Sequence, residues 1–408
     1  MADKTERKKD VSATGEEIKE EKGGKLSGKK KLLIATDNFL PRWDGIARFL
    51  SEIIPRLKDT YDITVLAPDF GPYETGWSDS VRIVKLPVNT FKIGDFNPAK
   101  VKYDIIKREV KKADIIFSQT IGPIGFLTIR AAHRNKKKVV SYIHSIEWEL
   151  VTRAMGLSLL KKYMSILTKG IVRRIYKKSD LLIVPAESIG EMLSWQKINT
   201  KKKVVHLGVD TKKFVPPPNK AEAKKKIGLD PEVFIIGHHG RLGREKDLPT
   251  LLRAFIIVRK TYPKTILLII GEGLESIKKK LIKVEGVILP GATNNVVPYL
   301  QAMDIYCLPS LTETTSLATL EAMACGVPVI ATKVGFVRDY IKPQVNGLFF
   351  REKNSYDLAR QIMFLIREDI LRKKISLEAR KTVEKEFNWD KTAKEIEETI
   401  DEMIQPSQ

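Results

Sequence analysis

At 408 residues the chain exceeds what one ordinary hydrophobic core organises, and its 43% of hydrophobic residues is enough for two cores. Its 72 Lys and Arg against 50 Asp and Glu give a formal charge of +22, so an anionic partner is expected: a phosphorylated substrate, an acidic membrane surface or nucleic acid. No apolar run reaches the roughly 20 residues of a membrane helix, and the N-terminus is charged, so the sequence predicts a cytoplasmic protein.

The first domain is predicted to begin after a charged, disordered tail at residues 1–29. A first strand at 31–36 is followed by a loop that ends at Asp44 and Gly45 and then by an amphipathic helix. A strand, a glycine turn and a helix start form a corner that can face a phosphate. Further strands alternate with helices, which predicts a parallel doubly wound sheet over residues 30–214; these strands are at 62–67, 81–86, 114–118, 138–143, 181–185 and 203–207.

A histidine follows the strand at 138–143. His144 lies at the carboxyl end, where sheets of this kind bind their ligands, and it is therefore a candidate substrate contact. The alternative is a loop histidine that bonds to a backbone carbonyl.

The segment 158–178 has the pattern of a basic amphipathic helix. Its apolar residues fall on one side, and Lys and Arg crowd the rest of its surface. Such a helix can lie on an anionic lipid surface, which would make the protein peripheral on the inner face of a membrane and would suit a lipid acceptor. The alternative is an ordinary core-packing helix with a charged back.

Three prolines in the segment 215–219 stiffen the chain and predict a linker to a second domain at 220–386. That domain opens with a strand that is followed by Arg241 and Lys246. Two cations just after a strand can neutralise a leaving diphosphate, Arg with a bidentate fork and Lys with a compact charge. A solvated surface pair is the alternative.

The second domain is organised around a strand, a polar loop, a helix and a glycine stop at Gly326. Thr314, Thr315 or Ser316 is predicted to cap the helix, whose N–H groups and positive dipole end attract an anion. Glu313 precedes the helix.

Glu321 lies about two turns inside the same helix, roughly 9 Å along its axis from Glu313. Carboxylates accept hydrogen bonds from vicinal hydroxyls, so two acids around an anion site suit a nucleotide diphosphate sugar. Taken alone, two acids on a helix are usually a solvated face.

Glu313 and Glu321 form a Glu-x7-Glu pattern, and the run Glu-Ala-Met-Ala-Cys-Gly-Val-Pro-Val continues to Val329. Together they resemble the signature of family 4 retaining glycosyltransferases, also called glycosyl transferases group 1. The resemblance implies the GT-B fold, in which two Rossmann-like doubly wound domains face each other across a cleft, and it implies that a C-terminal helix at 387–408 crosses back to the first domain. One departure is Glu313-Thr-Thr-Ser-Leu317, where many members have Glu-Gly-Phe-Gly-Leu.

The resemblance also implies a role for each matching position. His144, Arg241, Lys246 and Glu313 match the catalytic set, with His144 beside the transferred sugar. The donor contacts it implies are Gly45, Arg241 and Lys246 on the diphosphate, the backbone at Thr315, Ser316 and Leu317 on the same group, Glu313 on the sugar hydroxyls and Glu321 on the ribose.

The sequence therefore predicts a hexosyltransferase that retains the anomeric configuration and moves a glucose- or mannose-type sugar from a UDP- or GDP-sugar to a hydroxyl of a lipid or polysaccharide precursor. No metal or other cofactor is expected, because no Asp-x-Asp occurs and because His238 and His239, as neighbours on a strand, point to opposite faces. Two alternatives stay open: an epimerase or phosphorylase on the same fold, and a nonenzymatic protein that binds a membrane or, as the less expected partner, nucleic acid.

Overall fold

The computed structural model describes residues 20–21, 28–42, 44–90, 97–148 and 158–405, and it describes only the backbone of 20–21 and 158–162. Most of the predicted tail lies outside these ranges. Where the tail is described, Glu20–Glu21 forms a short strand, β1, that pairs antiparallel with Ile83 and Val84. The prediction of a disordered tail is corrected at these two residues, because the edge of the sheet offers them backbone partners.

The first domain is built on an eight-stranded sheet of order β1-β4-β3-β2-β5-β6-β7-β8, parallel except at β1. Its other strands are β2 (Lys30–Ala35), β3 (Tyr61–Pro68), β4 (Arg82–Leu86), β5 (Ile115–Ser118), β6 (Lys138–Tyr142), β7 (Leu181–Val184) and β8 (Lys202–Val204). Its helices are α1 (Gly45–Leu57), α2 (Tyr103–Lys112), α3 (Pro123–Arg134), α4 (Ser158–Tyr176) and α5 (Glu187–Trp195), with a 3-10 turn at Ser78–Ser80.

The second domain is built on a six-stranded parallel sheet of order β11-β10-β9-β12-β13-β14. Its strands are β9 (Phe234–His239), β10 (Thr265–Ile270), β11 (Val287–Gly291), β12 (Ile305–Leu308), β13 (Val329–Ala331) and β14 (Leu348–Phe349). The helices that follow the first domain are α6 (Lys220–Lys226), α7 (Leu248–Thr261), α8 (Glu275–Leu281), α9 (Val297–Ala302), α10 (Leu317–Ala324), α11 (Val337–Tyr340), α12 (Ser355–Arg367), α13 (Asp369–Glu386) and α14 (Trp389–Ile404), with a 3-10 turn at Arg244–Lys246.

Helices cover both faces of each sheet, so the central strands are nearly continuous apolar runs. In β2 the residues 32–35 are at most 1% exposed, and all four residues of β7 are fully buried. This burial on two faces is typical of parallel sheets, and the predicted pair of doubly wound domains is confirmed. Among the described residues, none of the helices is both long and apolar enough to cross a membrane.

Each sheet has one point at which its strand order reverses. In the first domain β3 and β4 are added on one side of β2, and β5 then lies on the other side. In the second domain β10 and β11 are added on one side of β9, and β12 then lies on the other side. The loops at such a point diverge and leave a crevice at the carboxyl edge of the sheet. The predicted site residues follow these strands or their neighbours, so the topology directs them to the same boundary between the domains.

The chain crosses between the domains twice. Arg380 of α13 fastens the linker region, because it donates hydrogen bonds to the carbonyls of Thr211 (3.0 Å) and Ala324 (2.7 Å). Beyond it, α14 packs on the first domain: Trp389 is buried among first-domain core residues, and the Tyr61 hydroxyl donates to Asp401 (2.6 Å). These contacts of α13 and α14 therefore join the two domains in addition to the contacts between the predicted site residues.

Candidate active site

The reversal point of the second domain brings a lysine and a glutamate together. Because β9 and β12 are hydrogen-bonded neighbours, the loop after β9, which ends at Lys246, meets the loop after β12. The Lys246 ammonium donates to Glu313 Oε1 at 2.5 Å, and the Ser310 hydroxyl donates to the same oxygen at 2.8 Å. Both charged side chains are mostly buried, at 18% and 11% exposed. Two predicted site residues thus form one buried pair just before α10.

Arg241 lies farther out on the same loop. Its guanidinium is 41% exposed and donates to Glu245 at 2.8 Å. Its charge also acts on Asp44 of the first domain, where it opposes the effect of burial, which raises the pKa of that carboxyl. The Glu245 carbonyl in turn accepts from the Leu311 N–H (2.7 Å), so the loops after β9 and β12 are joined. Arg241 therefore lies at the boundary, between its own loop and the facing helix α1.

The start of α10 has no side-chain cap. Ser316 is the N-cap residue, in the left-handed region at φ 63°, as the prediction allowed, but its hydroxyl bonds to the Thr319 hydroxyl (2.9 Å) instead of to the backbone. Within the described ranges nothing accepts a hydrogen bond from the N–H groups of Leu317 and Ala318. Unused N–H groups at the positive end of a helix dipole form a site for an anion.

Glu321 is 1% exposed and has one carboxylate oxygen without a hydrogen-bond donor. Its Oε1 pairs with Arg48, which reaches across from α1 of the first domain. Its Oε2 lies 3.3 Å from His239 Nε2, but that nitrogen bonds to the Ala318 carbonyl (3.1 Å), and burial lowers the pKa of His239 to about 3, so the ring is neutral. A buried carboxylate oxygen without a donor is a position that a ligand hydroxyl can fill.

The helix start of the first domain is capped by a side chain. Gly45 begins α1, is exposed and has no heavy atom within 4 Å of the position a Cβ would take. However, the carboxylate of Asp44 caps the helix by accepting from the N–H groups of Ile46 (2.9 Å) and Ala47 (3.0 Å). Two of the N–H groups at this corner are therefore bound to a carboxylate, and a phosphate contact at Gly45 stays a prediction.

His144 follows β6 and contacts the second domain through its backbone. Its carbonyl accepts from the Thr314 hydroxyl (2.7 Å), which lies in the loop that carries Glu313. Its ring stacks on Tyr142 at 4.5 Å between centroids, and its Nε2 bonds to Gln119 Oε1 at 2.9 Å. Since that amide oxygen only accepts, the bond assigns the proton to Nε2, and burial lowers the pKa of the ring to about 3. His144 is therefore neutral. Its ring bonds to a side-chain amide, and not to a backbone carbonyl as the alternative interpretation predicted.

Sequence reasoning missed Arg48, Gln119 and the capping role of Asp44. Arg48 lies one turn after Gly45 on α1, where the sequence pattern indicates an ordinary surface cation, yet its guanidinium pairs with Glu321. Burial lowers the pKa of Arg48 to about 10, so the side chain is charged at neutral pH. Its guanidinium also lies 5.6 Å from the centre of the Phe214 ring. Nothing in the sequence spacing connects positions 48 and 321.

No group of three or more His, Cys, Asp or Glu side chains suited to a metal occurs among the described residues. His238 and His239 bond separately, to the carbonyls of Cys307 (2.9 Å) and Ala318. The absence of a metal cofactor stays a prediction. A cavity of about 390 Å³ lies away from the predicted residues, beside α5 and β8, and none of them lines it.

Two doubly wound domains with a free helix start and a buried cation at their boundary have the architecture of the GT-B fold. A family model described as Glycosyltransferase Family 4 matches residues 43–213, and one described as Glycosyl transferases group 1 matches residues 219–382. The chain therefore belongs to the family 4 glycosyltransferases, and this membership selects the transferase among the alternatives drawn from the sequence.

Among characterised relatives, an Escherichia coli enzyme named UDP-Gal:alpha-D-GlcNAc-diphosphoundecaprenol alpha-1,3-galactosyltransferase is 26% identical over 92% of this chain and 98% of its own length. The GDP-mannose-dependent monoacylated alpha-(1-6)-phosphatidylinositol monomannoside mannosyltransferase of Corynebacterium glutamicum is also 26% identical, over 90% of this chain and 96% of its own. The crystal structure of Anabaena HepE with UDP and glucose is similar in fold, with a TM-score of 0.74 at 17% identity over 91% of this chain and 99% of that chain.

Proposed function

We propose that the protein transfers a hexose of the glucose or mannose type from a nucleotide diphosphate sugar to a hydroxyl of a lipid-linked acceptor, with retention of the anomeric configuration. The observation that carries the proposal is the arrangement at α10: the Lys246–Glu313 pair, the unused N–H groups of Leu317 and Ala318, and the unpartnered oxygen of Glu321 follow one another along a single helix start.

The donor roles follow from the chemistry of these groups. The free N–H groups, Lys246 and Arg241 would bind the diphosphate, because it is the anionic part of the donor. Glu321 Oε2 would accept from a ribose hydroxyl while Arg48 holds the other oxygen, and Glu313 would accept from sugar hydroxyls. HepE, which shares the fold, has been crystallised with UDP-glucose, and the relatives named above use UDP-Gal and GDP-mannose, which supports a nucleotide sugar as donor.

The transfer would need no protein nucleophile. The bond from the anomeric carbon to the diphosphate breaks, the bond to the acceptor oxygen forms on the same face, and the acceptor proton passes to the departing phosphate oxygen. Negative charge develops on the diphosphate, and Lys246, Arg241 and the start of α10 would stabilise it in place of a divalent metal. We therefore also propose that the chelator EDTA leaves the activity unchanged.

The test is a panel of UDP- and GDP-sugars with polyprenyl diphosphate-sugar and glycolipid acceptors, followed by NMR assignment of the anomer in the product. One α-linked nucleotide sugar of the panel should serve as donor and give an α-linked product. Glu313→Ala should reduce turnover by about 10²-fold or more. Glu232→Ala, which removes an exposed acid of the same domain, should not. An inverted product would overturn retention. Epimerisation of the donor in the absence of an acceptor would replace the proposal by the epimerase alternative. Formation of a sugar phosphate when inorganic phosphate is supplied would replace it by the phosphorylase alternative.

A further inference from the structure

Helix α4 carries an apolar stripe that faces solvent. The four side chains that form it follow helical spacing on one face and are between 45% and 66% exposed: Tyr163, Ile166, Leu167 and Ile171. Other side chains of the same helix pack on the core and are at most 4% exposed: Val172, Ile175 and Tyr176. The interpretation of this segment as an ordinary core-packing helix is therefore wrong for the four exposed residues.

Cations continue the same stripe toward the end of the helix. Arg174 and Lys177 are exposed and follow Ile171 at steps of three residues, and we call these two together with the four apolar side chains the α4 face. Over residues 158–178 there are seven Lys and Arg and no Asp or Glu. The α4 face is thus apolar at one end and cationic at the other, with no acid nearby on its own helix.

A fifth exposed apolar residue stands next to this helix. Trp195 ends α5 with 83% of its surface exposed, and the carbonyl of the following Gln196 accepts from Arg173 of α4 at 2.9 Å. Tryptophan is the residue that most favours the boundary between water and lipid.

The second domain shows what an ordinary surface of this protein looks like. Its exposed apolar residues are spread over three helices and two turns, and no two of them are within one helical turn of each other: Ile256, Ile282, Val345, Tyr356, Ile370 and Leu377. Single exposed apolar side chains are normal and need no partner, whereas a contiguous group indicates a contact surface.

The charge of the α4 face selects its partner. A second copy of the chain would bring the same cations against one another, whereas an anionic bilayer accepts apolar side chains and attracts Lys and Arg at once. The face also has a fixed relation to the site, because the Tyr176 hydroxyl donates to Glu147 (2.9 Å) and Lys169 lies 5.9 Å from the ring of Trp148. Both of these partners follow His144 within four residues.

We propose that the α4 face docks the protein on an anionic lipid bilayer and so presents the acceptor side of the site to a lipid-linked hydroxyl. The purpose of docking rests on the proposed function, whereas the binding itself does not. The test is co-sedimentation of the full chain, without donor, with vesicles of phosphatidylcholine alone and with vesicles that also contain phosphatidylglycerol.

The wild type should sediment with the anionic vesicles and not with the neutral ones. Ile166→Ser combined with Ile171→Ser should lower the partition coefficient by about tenfold, because both side chains are proposed to enter the lipid boundary. The matched control is Ile282→Ser with Ile370→Ser, which removes two isoleucines of the second domain that are at least 59% exposed and should bind as the wild type does.

A second pair of variants tests the charge. Arg174→Gln with Lys177→Gln should also lose roughly tenfold in partition. The charge-matched control is Lys279→Gln with Lys280→Gln, an exposed pair within α8, and it should lose much less. Unchanged thermal unfolding midpoints would show that all four variants fold.

Three results would overturn the proposal: no binding of the wild type to anionic vesicles, equal binding by the α4 variant and its control, or a wild-type dimer in sedimentation velocity that Ile166→Ser with Ile171→Ser makes monomeric. The last result would assign the face to a second copy of the chain. Failure of the proposed function is a separate result, because a protein that transfers no sugar but binds anionic vesicles through the α4 face leaves the docking proposal intact.

Discussion

The two domains share one architecture, yet the helix starts at their reversal points differ. In the first domain the Asp44 carboxylate occupies the N–H groups of Ile46 and Ala47, while in the second the Ser316 hydroxyl turns to Thr319 and leaves the first N–H groups of α10 unused. A helix start that is bound to a carboxylate has little left for a phosphate. Strand, loop and helix in the same order thus give one helix start with unused N–H groups and one capped helix start.

The difference separates the work of the domains. The second domain supplies groups that suit an anion from its own backbone and from Lys246, whereas the first reaches across the boundary with Arg48, which pairs with Glu321, and with the His144 carbonyl, which accepts from Thr314. The groups proposed to bind the donor are therefore local to one helix start, and Arg48 and His144 of the first domain contact them from across the boundary. Experiments that change one contribution at a time can break or sharpen this division.

The largest effect is expected at Lys246. Lys246→Met removes the buried ammonium beside the free start of α10, so it should lower kcat by about 10²- to 10³-fold through lost stabilisation of the departing diphosphate. Lys278→Met, at a partly exposed lysine 3.6 Å from Glu272 in the same domain, is the control and should leave kcat within about twofold. Steady-state kinetics with saturating donor measure both. A loss confined to KM would instead make Lys246 a group that binds donor and transition state equally.

The next effect is on stability and tests the contribution from the first domain. Arg48→Met leaves Glu321 buried without its cation, which should cost on the order of 3 kcal/mol in unfolding free energy. Arg56→Met, which breaks the partly exposed pairs with Glu52 and Asp390, should cost about 1 kcal/mol. Denaturant or thermal unfolding of the full chain measures the two.

A double variant separates the charge of Arg48 from its packing. In Arg48→Met with Glu321→Gln the amide needs no counter-charge, so the pair of changes should cost less than the sum of the single ones. Strict additivity would mean that the two side chains do not interact in solution, and the bridge between the domains would have to be abandoned.

Features formed by residues close together in the sequence could be predicted, whereas features that join distant positions could not. Glu313, the loop of Thr315 and the helix that holds Glu321 lie within nine residues of one another, so a local pattern specified them, and the alternation of strands with helices specified both sheets. Arg48 was missed because its partner is 273 positions away (321 − 48) and on another domain. Likewise the sequence places Asp44 at the end of a loop, and only the structure shows its carboxylate bonded to the backbone of α1.

The α4 segment shows the same limit in another form. Its periodicity predicted an amphipathic helix, and the helix is there, but the pattern alone left open whether the apolar side meets the core or solvent. The structure divides that side: Ile175 is buried, whereas Ile166 and Ile171 are exposed. A one-dimensional pattern fixes which residues share a face, while the surface that this face meets is decided by the rest of the fold.

The smallest expected effect addresses the capped helix start directly. Asp44→Asn keeps an oxygen that can accept from the N–H groups of Ile46 and Ala47 but removes a negative charge that faces Arg241, so the Kd for the nucleotide diphosphate should fall by about two- to fivefold. Asp44→Gly also frees the two N–H groups, and it should bind the nucleotide at least as tightly as Asp44→Asn. Isothermal titration with UDP and GDP measures both variants. Weaker binding by both variants would mean that the Asp44 carboxylate itself accepts a hydrogen bond from a hydroxyl of the nucleotide. The first domain would then contribute a contact to the nucleotide at its own reversal point. The two helix starts would differ in which group of the ligand they bind, and not in whether their N–H groups are occupied.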